Sequence, residues 1–183
     1  VTNSSAIANR QTFIVNPVVD YTNLPTNWYG GCVVWTETGQ NIAVVIQQRH
    51  PGANSNAAAY EGIRDVGSTE AMAPLIAKPS SSGGFATVLT VQNLGSATTT
   101  ITITYRSDAG AIYTATLSNV APGRSVIRSA RTNCTPNCET QLPANFVGSA
   151  IISTNPPVPV GGYMQLTNTT ATTGDTFLSH VLI

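Results

Sequence analysis

Charge is what this sequence has least of. Asp, Glu, Lys and Arg make up 9% of its 183 residues, against about a quarter in an ordinary soluble domain. There is one lysine, Lys78, and the formal net charge is zero. A nucleic-acid groove needs clustered Lys and Arg, and anionic lipid needs a basic patch, so neither partner class is expected. No run reaches the roughly 18 apolar residues of a membrane span. No signal-peptide pattern is present, so if the protein is secreted the expectation is that this sequence is already mature.

Groups for chemistry are equally sparse. The two histidines, His50 and His180, stand far apart and in no metal-ligand spacing. No Gly-x-Ser-x-Gly elbow is present. The eight acidic residues are scattered singly, with no pair at a separation that suggests a glycosidase. The Gly-Gly pairs at 30–31, 83–84 and 161–162 lead into no helix and cannot cradle phosphate. The expectation is a protein that is not an enzyme, with no catalytic residue, no cofactor and no metal.

Threonine occupies the space that charge leaves, with 26 residues. Thr, Val and Ile are β-branched and favour strands. No window carries a helical period, whereas alternating segments recur every 8–15 residues between turn signals. Thr98–Tyr105 is the plainest strand, with Ile101, Ile103 and Tyr105 on one face. Further strands are expected over 71–77, 85–93, 111–117, 146–154 and 158–166, with another centred on Val126-Ile127 and a last one over 177–183. In the N-terminal third they are expected over 11–15, 28–36, 41–48 and 57–63. The pattern is that of an all-β sandwich. Ile101, Ile103, Leu117, Ile152 and Val160 are expected in one core.

The chain also repeats itself. Leu24-Pro25-Thr26-Asn27-Trp28-Tyr29-Gly30-Gly31-Cys32-Val33-Val34-Trp35-Thr36 recurs without a gap, 118 residues on, as Leu142-Pro143-Ala144-Asn145-Phe146-Val147-Gly148-Ser149-Ala150-Ile151-Ile152-Ser153-Thr154. An internal repeat constrains a fold before any single element does. The second copy extends back over some fifty strand-like residues, and the first does not. Two domains are therefore expected: a partial repeat over 1–69, the back half of a sandwich, and a complete one over 70–183. The partial one is expected to be completed by a neighbouring chain.

Three cysteines are present. Cys134 and Cys138 flank the turn-forming Thr135-Pro136-Asn137 and are expected to form a local disulfide, which implies an oxidising, extracellular setting. Cys32 matches Ala150 in the repeat and is expected as a buried free thiol. Asn3, Asn133 and Asn168 open Asn-x-Ser/Thr triplets, candidates for glycosylation. Trp28, Tyr29, Trp35 and Tyr60 gather in the first copy, either to stack on sugar rings or to cover an interface.

Three motifs then carry a resemblance. They are Asn93-Leu94-Gly95-Ser96-Ala97, Val120-Ala121-Pro122-Gly123-Arg124-Ser125, and the Leu-Pro-x-Asn-Phe-x-Gly-Ser block that begins at Leu142. Together they resemble the immunoglobulin-like β-sandwich repeats of bacterial secreted and surface proteins, over 71–183 well and over 10–63 in part. The resemblance implies an immunoglobulin-like antiparallel β-sandwich, one complete copy plus one partial, at the cell surface or outside the cell. It also implies a non-catalytic role in envelopes, adhesion or filaments.

Low charge near neutrality favours association. The leading expectation is a structural subunit of an extracellular homopolymer (filament, sheath or surface layer), assembled by strand exchange or sheet-edge contacts. The arm 1–9 and the apolar segment 177–183 are the expected donors. The alternative is an adhesin or carbohydrate-binding module, with glycans as partners, carried by the four aromatics.

Overall fold

The computed structural model describes residues 5–8, 10–25, 32–37, 39–50, 56–62, 67–80, 83–131, 134, 137–168 and 178–182. The chain divides into two compact units, Val1–Gly30 and Gly31–Ile183.

In the first unit the described backbone forms turns and irregular stretches, apart from one helical turn, α1 (Pro17–Asp20). Asn-Pro explains that turn. Asn16 sits at the N-cap and Pro17 at the first helical position, where a missing N–H costs nothing. The Asn16 carbonyl accepts from the backbone N–H groups of Val19 and Asp20 at 3.0 and 2.8 Å. The Asp20 carboxylate in turn accepts from the Asn16 N–H at 2.6 Å. The strand expected over 11–15 is not formed: these residues are in no strand and pair with none among the described residues.

The second unit is all-β. A two-stranded antiparallel ribbon joins β1 (Val45–His50) to β2 (Asn56–Glu61), from Val45 opposite Glu61 to His50 opposite Asn56. The expected strand over 41–48 thus begins later, at Val45, and pairs forward with β2. Its expected hairpin partner over 28–36 shows no strand at the described residues 32–36.

The remaining strands form a sandwich of two four-stranded antiparallel sheets. One runs in the order β3 (Glu70–Ala77), β8 (Val147–Asn155), β5 (Thr99–Ser107), β6 (Ile112–Val120). The other runs β10 (Leu178–Leu182), β9 (Val160–Asn168), β4 (Phe85–Asn93), β7 (Ser125–Ser129). The expected strands from Ala71 onward are therefore all present, within a few residues at each end. Only β5–β6 and β9–β10 are hairpins within a sheet; the other consecutive pairs from β3 onward cross between sheets. In the immunoglobulin order the first strand lies beside the second and the last beside the last but one. Here β3 lies beside β8 and β9 beside β4, so these two strands have exchanged places.

The core lies between the sheets and follows from the alternation. In β5, Thr99, Ile101, Ile103 and Tyr105 are buried and the residues between them are half-buried. Ile101 stands opposite Leu117 on β6, and Ile103 opposite Ile152 on β8. Ile101, Ile103, Ile152 and Val160 are buried in one cluster, with Leu117 packed against it, as expected. Leu142 and Phe146 of the repeated block close one end. The Phe146 ring meets Tyr105 and Tyr113 edge to face, at centroid distances of 6.4 and 5.8 Å.

The motif residues of the two turns meet at one place. Asn93 is fully buried, and its amide donates to the carbonyls of Ala97 and Val120 at 2.8 and 3.0 Å. Its side-chain oxygen accepts from the Gly95 N–H at 2.8 Å. Its backbone bonds the second turn, donating to Arg124 at 3.0 Å and accepting from Gly123 at 2.9 Å. Gly123 has φ of 72°, a left-handed conformation that glycine adopts without strain. One asparagine therefore ties the Asn-Leu-Gly turn to the Pro-Gly-Arg turn.

Candidate functional site

Cys134 and Cys138 are disulfide-bonded, with Cα atoms 5.1 Å apart. That spacing lies in the ordinary range for a disulfide. The loop they close lies along β7: the Ser129 N–H donates to the Asn137 carbonyl at 2.7 Å, and the Glu139 N–H to the Ser129 carbonyl at 2.8 Å. Such a bond belongs to chains kept outside the reducing cytosol. Cys32 is free, as expected, but exposed rather than buried. The repeat matched it to Ala150, which is buried because β8 lies between β3 and β5. Among the described residues no strand pairs with the stretch around Cys32.

The candidate aromatics and sequons are brought together only in part. Trp28, Tyr29, Asn3 and Asn133 lie outside the described residues. Trp35 is 63% exposed and in no strand. Tyr60 lies on β2, opposite Ile46. Asn168 ends β9, half-buried and opposite Phe85 of β4.

A polar cluster that the sequence reading missed lies beside the disulfide loop. Glu139 is buried, and its carboxylate takes the Arg128 guanidinium at 2.6 Å and the Gln141 amide on its other oxygen. Arg128 also donates to the Cys138 carbonyl at 3.1 Å. Lys78 donates to the carbonyls of Glu139 and Leu142 at 2.7 and 2.6 Å. Its burial lowers the ammonium pKa below the ordinary lysine value, against the opposing pull of the Glu139 charge. The Tyr105 hydroxyl is buried toward Glu139 with no hydrogen bond of ordinary geometry. Burial first, and the Glu139 charge second, raise its pKa far above the usual phenol range. Three of the chain's few charged residues are thus spent on pinning the 130–146 segment to the sandwich. The available signal was Lys78 itself, a lone lysine in a chain that avoids charge.

Among the described residues no three His, Cys, Asp or Glu side chains gather as metal ligands. A shallow, mainly apolar depression of about 380 Å³ lies beside the Glu139 cluster, between Leu75, Lys78, Pro79, Phe85, Phe146 and Val147. No described helix is long and apolar enough to cross a membrane.

What stands out is the surface. Among the described residues the buried apolar side chains all come from Ala71 onward. From Ile7 to Val45 the large apolar side chains are mostly exposed, including Phe13, Ile14 at 80%, Val15, Val33, Val34, Trp35 and Ile42. These exposed side chains fall in both units, up to Val19 in the first and from Val33 in the second.

No family model matches the chain, and no curated protein matches it. Among solved structures it is similar to the crystal structure of Thermotoga maritima 1070, with a TM-score of 0.51 and 16% identity. The match covers 64% of this chain and 95% of that one. At that identity the likeness is one of fold alone, and it agrees with the β-sandwich.

Proposed function

We propose that this chain is a non-catalytic structural subunit of an extracellular homopolymer, joined by donation of an extended segment from one copy to a sheet of the next. The observation that carries the reading is the exposed apolar surface between Ile7 and Val45. Leaving such side chains in water costs about 25 cal/mol per Å² of apolar area, which association recovers. Near-zero net charge opposes association very little. The disulfide supports an oxidising location.

Of the two expected donors, the C-terminal one is engaged within its own chain. Leu178–Leu182 pairs with β9, from Leu178 opposite Leu166 to Leu182 opposite Gly162. The N-terminal side therefore takes the donor role, here placed on the apolar residues 11–15 rather than on the expected arm 1–9. Sedimentation velocity over a concentration series, with electron micrographs of the same samples, tests the proposal. The full chain is expected to form regular polymers, and a chain lacking residues 1–16 to remain a folded monomer. A full chain that stays monodisperse at every concentration sinks the proposal.

A second reading, a glycan-binding module, has one observation in its favour, the exposed Trp35 ring. Monodisperse particles retained on a glycan array, with retention lost in Trp35→Ala, would favour it.

A further inference from the structure

We infer that the outer edge of β6 is the acceptor in this assembly and that segment 11–15 of a second copy is the strand it accepts. The inference rests on the polymer reading above and specifies its contact.

The sandwich has four edge strands, and three are defended. Natural sheets protect an edge with charge, proline, a bulge, shortness or a cover. Edge β3 carries Glu70 and Pro74, and its register with β8 is broken between Ala73 and Ile76. Edge β7 is five residues long, carries Arg128, and lies under the disulfide loop through Ser129. Edge β10 is short and runs beside β2.

Edge β6 has none of these devices over Ile112–Leu117, and its register with β5 breaks only beyond that stretch, between Leu117 and Val120. It is nine residues long, Ile-Tyr-Thr-Ala-Thr-Leu-Ser-Asn-Val, with no charge and no proline. Its pairing with β5 runs without a shift from Leu117 to Ile112. Among the described residues no strand pairs with its other side. The inward face is unfinished there: Ala115 is buried, while Tyr113 and Leu117 are only half-buried. Ile112, Thr114, Thr116 and Ser118 point to solvent.

Segment 11–15, Gln-Thr-Phe-Ile-Val, has the complementary character. Thr12–Val15 belong to no helix or strand, are exposed, and make no backbone hydrogen bond among the described residues. Phe, Ile, Val and Thr are strand-forming types. Five residues at about 3.3 Å each fit within the length of β6. In a strand Phe13 and Val15 share one face, with the two-residue spacing of Tyr113, Ala115 and Leu117. Added to the sheet, they would cover that half-buried row, while Thr12 and Ile14 would lie beside the outward threonines. The turn at Asn16-Pro17 ends the donor. Donor and acceptor are different surfaces, so each copy offers one of each and the contact can pass from copy to copy.

Disulfide trapping between full-length chains tests this, in a Cys32→Ser background. One chain carries Ile14→Cys and the other Thr116→Cys. The expected result is a covalent dimer when the two are mixed, and its loss when the acceptor chain also carries Leu117→Lys, an inward charge on the edge. A partner bearing Met72→Cys, exposed on the defended edge β3, is expected to give none. Because Leu117→Lys sits on the core side and can impair folding, the mixed-chain trapping decides on its own. No dimer, or equal dimer with Met72→Cys, overturns the inference. Polymers on the grid without the cross-link leave the polymer reading standing and remove this edge. A cross-link confined to discrete oligomers keeps the edge and removes the polymer.

Discussion

Tyr105 sits where two demands on a core residue conflict. Its ring fills the space between β5 and Phe146, while its hydroxyl is buried without an ordinary hydrogen-bond partner. An unsatisfied buried polar atom costs about 1–3 kcal/mol. Tyr105→Phe keeps the ring and removes the atom. At neutral pH it is expected to be neutral or stabilising by up to about 1 kcal/mol in urea unfolding. The alkaline limb separates the two proteins further. The folded pKa of Tyr105 lies above the unfolded value of 10.0, so above that pH the unfolded chain loses a proton that the folded chain keeps. This contribution is full below pH 10 and falls as pH rises beyond it. The wild type should therefore lose stability above pH 10 more steeply than Tyr105→Phe. Parallel curves in the two proteins would show that the hydroxyl is solvated and the burial argument wrong.

At the scale of elements, the repeat shows what a sequence pattern can and cannot specify. Alternation placed β4, β5, β8 and β9 because each is flanked by strands that bury one face of it. The same residue types between 28 and 36 suggested a strand too, yet at 32–36 none forms among the described residues. Strand propensity is a preference for a paired, half-buried surface and expresses itself only where neighbours exist. Cys32 was misplaced for this reason, and the polar cluster at Glu139 was missed because Lys78 is distant in sequence and because the chain between Arg128 and Gln141 follows no strand period. Gly148 tests how tightly the second copy is built. A Cβ there would run into the Arg106 carbonyl on β5, so β8 can approach β5 only with glycine at this point. Gly148→Ala is expected to cost about 1–3 kcal/mol, as overpacking does, read from the shift in denaturant midpoint. A cost below about 0.5 kcal/mol, the level of an ordinary surface change, would mean that the two strands can part without loss.

For the whole molecule, burial divides the described residues into a stretch with a closed core and a stretch without one. From Ala71 onward apolar side chains close a core between two sheets. Before Val45 they mostly face water. Amide exchange reads this division directly, because protection follows the cost of opening each segment. In dilute solution the amides of β4, β5, β8 and β9 should exchange slowest, near the rate of global unfolding. Those of Thr12–Val15 and Val33–Thr36 make no backbone hydrogen bond among the described residues and should exchange almost freely. In the assembled material the first of these stretches should change class. If Thr12–Val15 is donated to β6, its amides gain partners on another chain, and the outward amides of β6 become protected with them. Protection at Thr12–Val15 without any at β6 would move the acceptor to another edge. Free exchange at Thr12–Val15 inside a polymer would exclude donation by this segment. The apolar residues between Val33 and Ile42 would then be left to carry the contact through side chains alone.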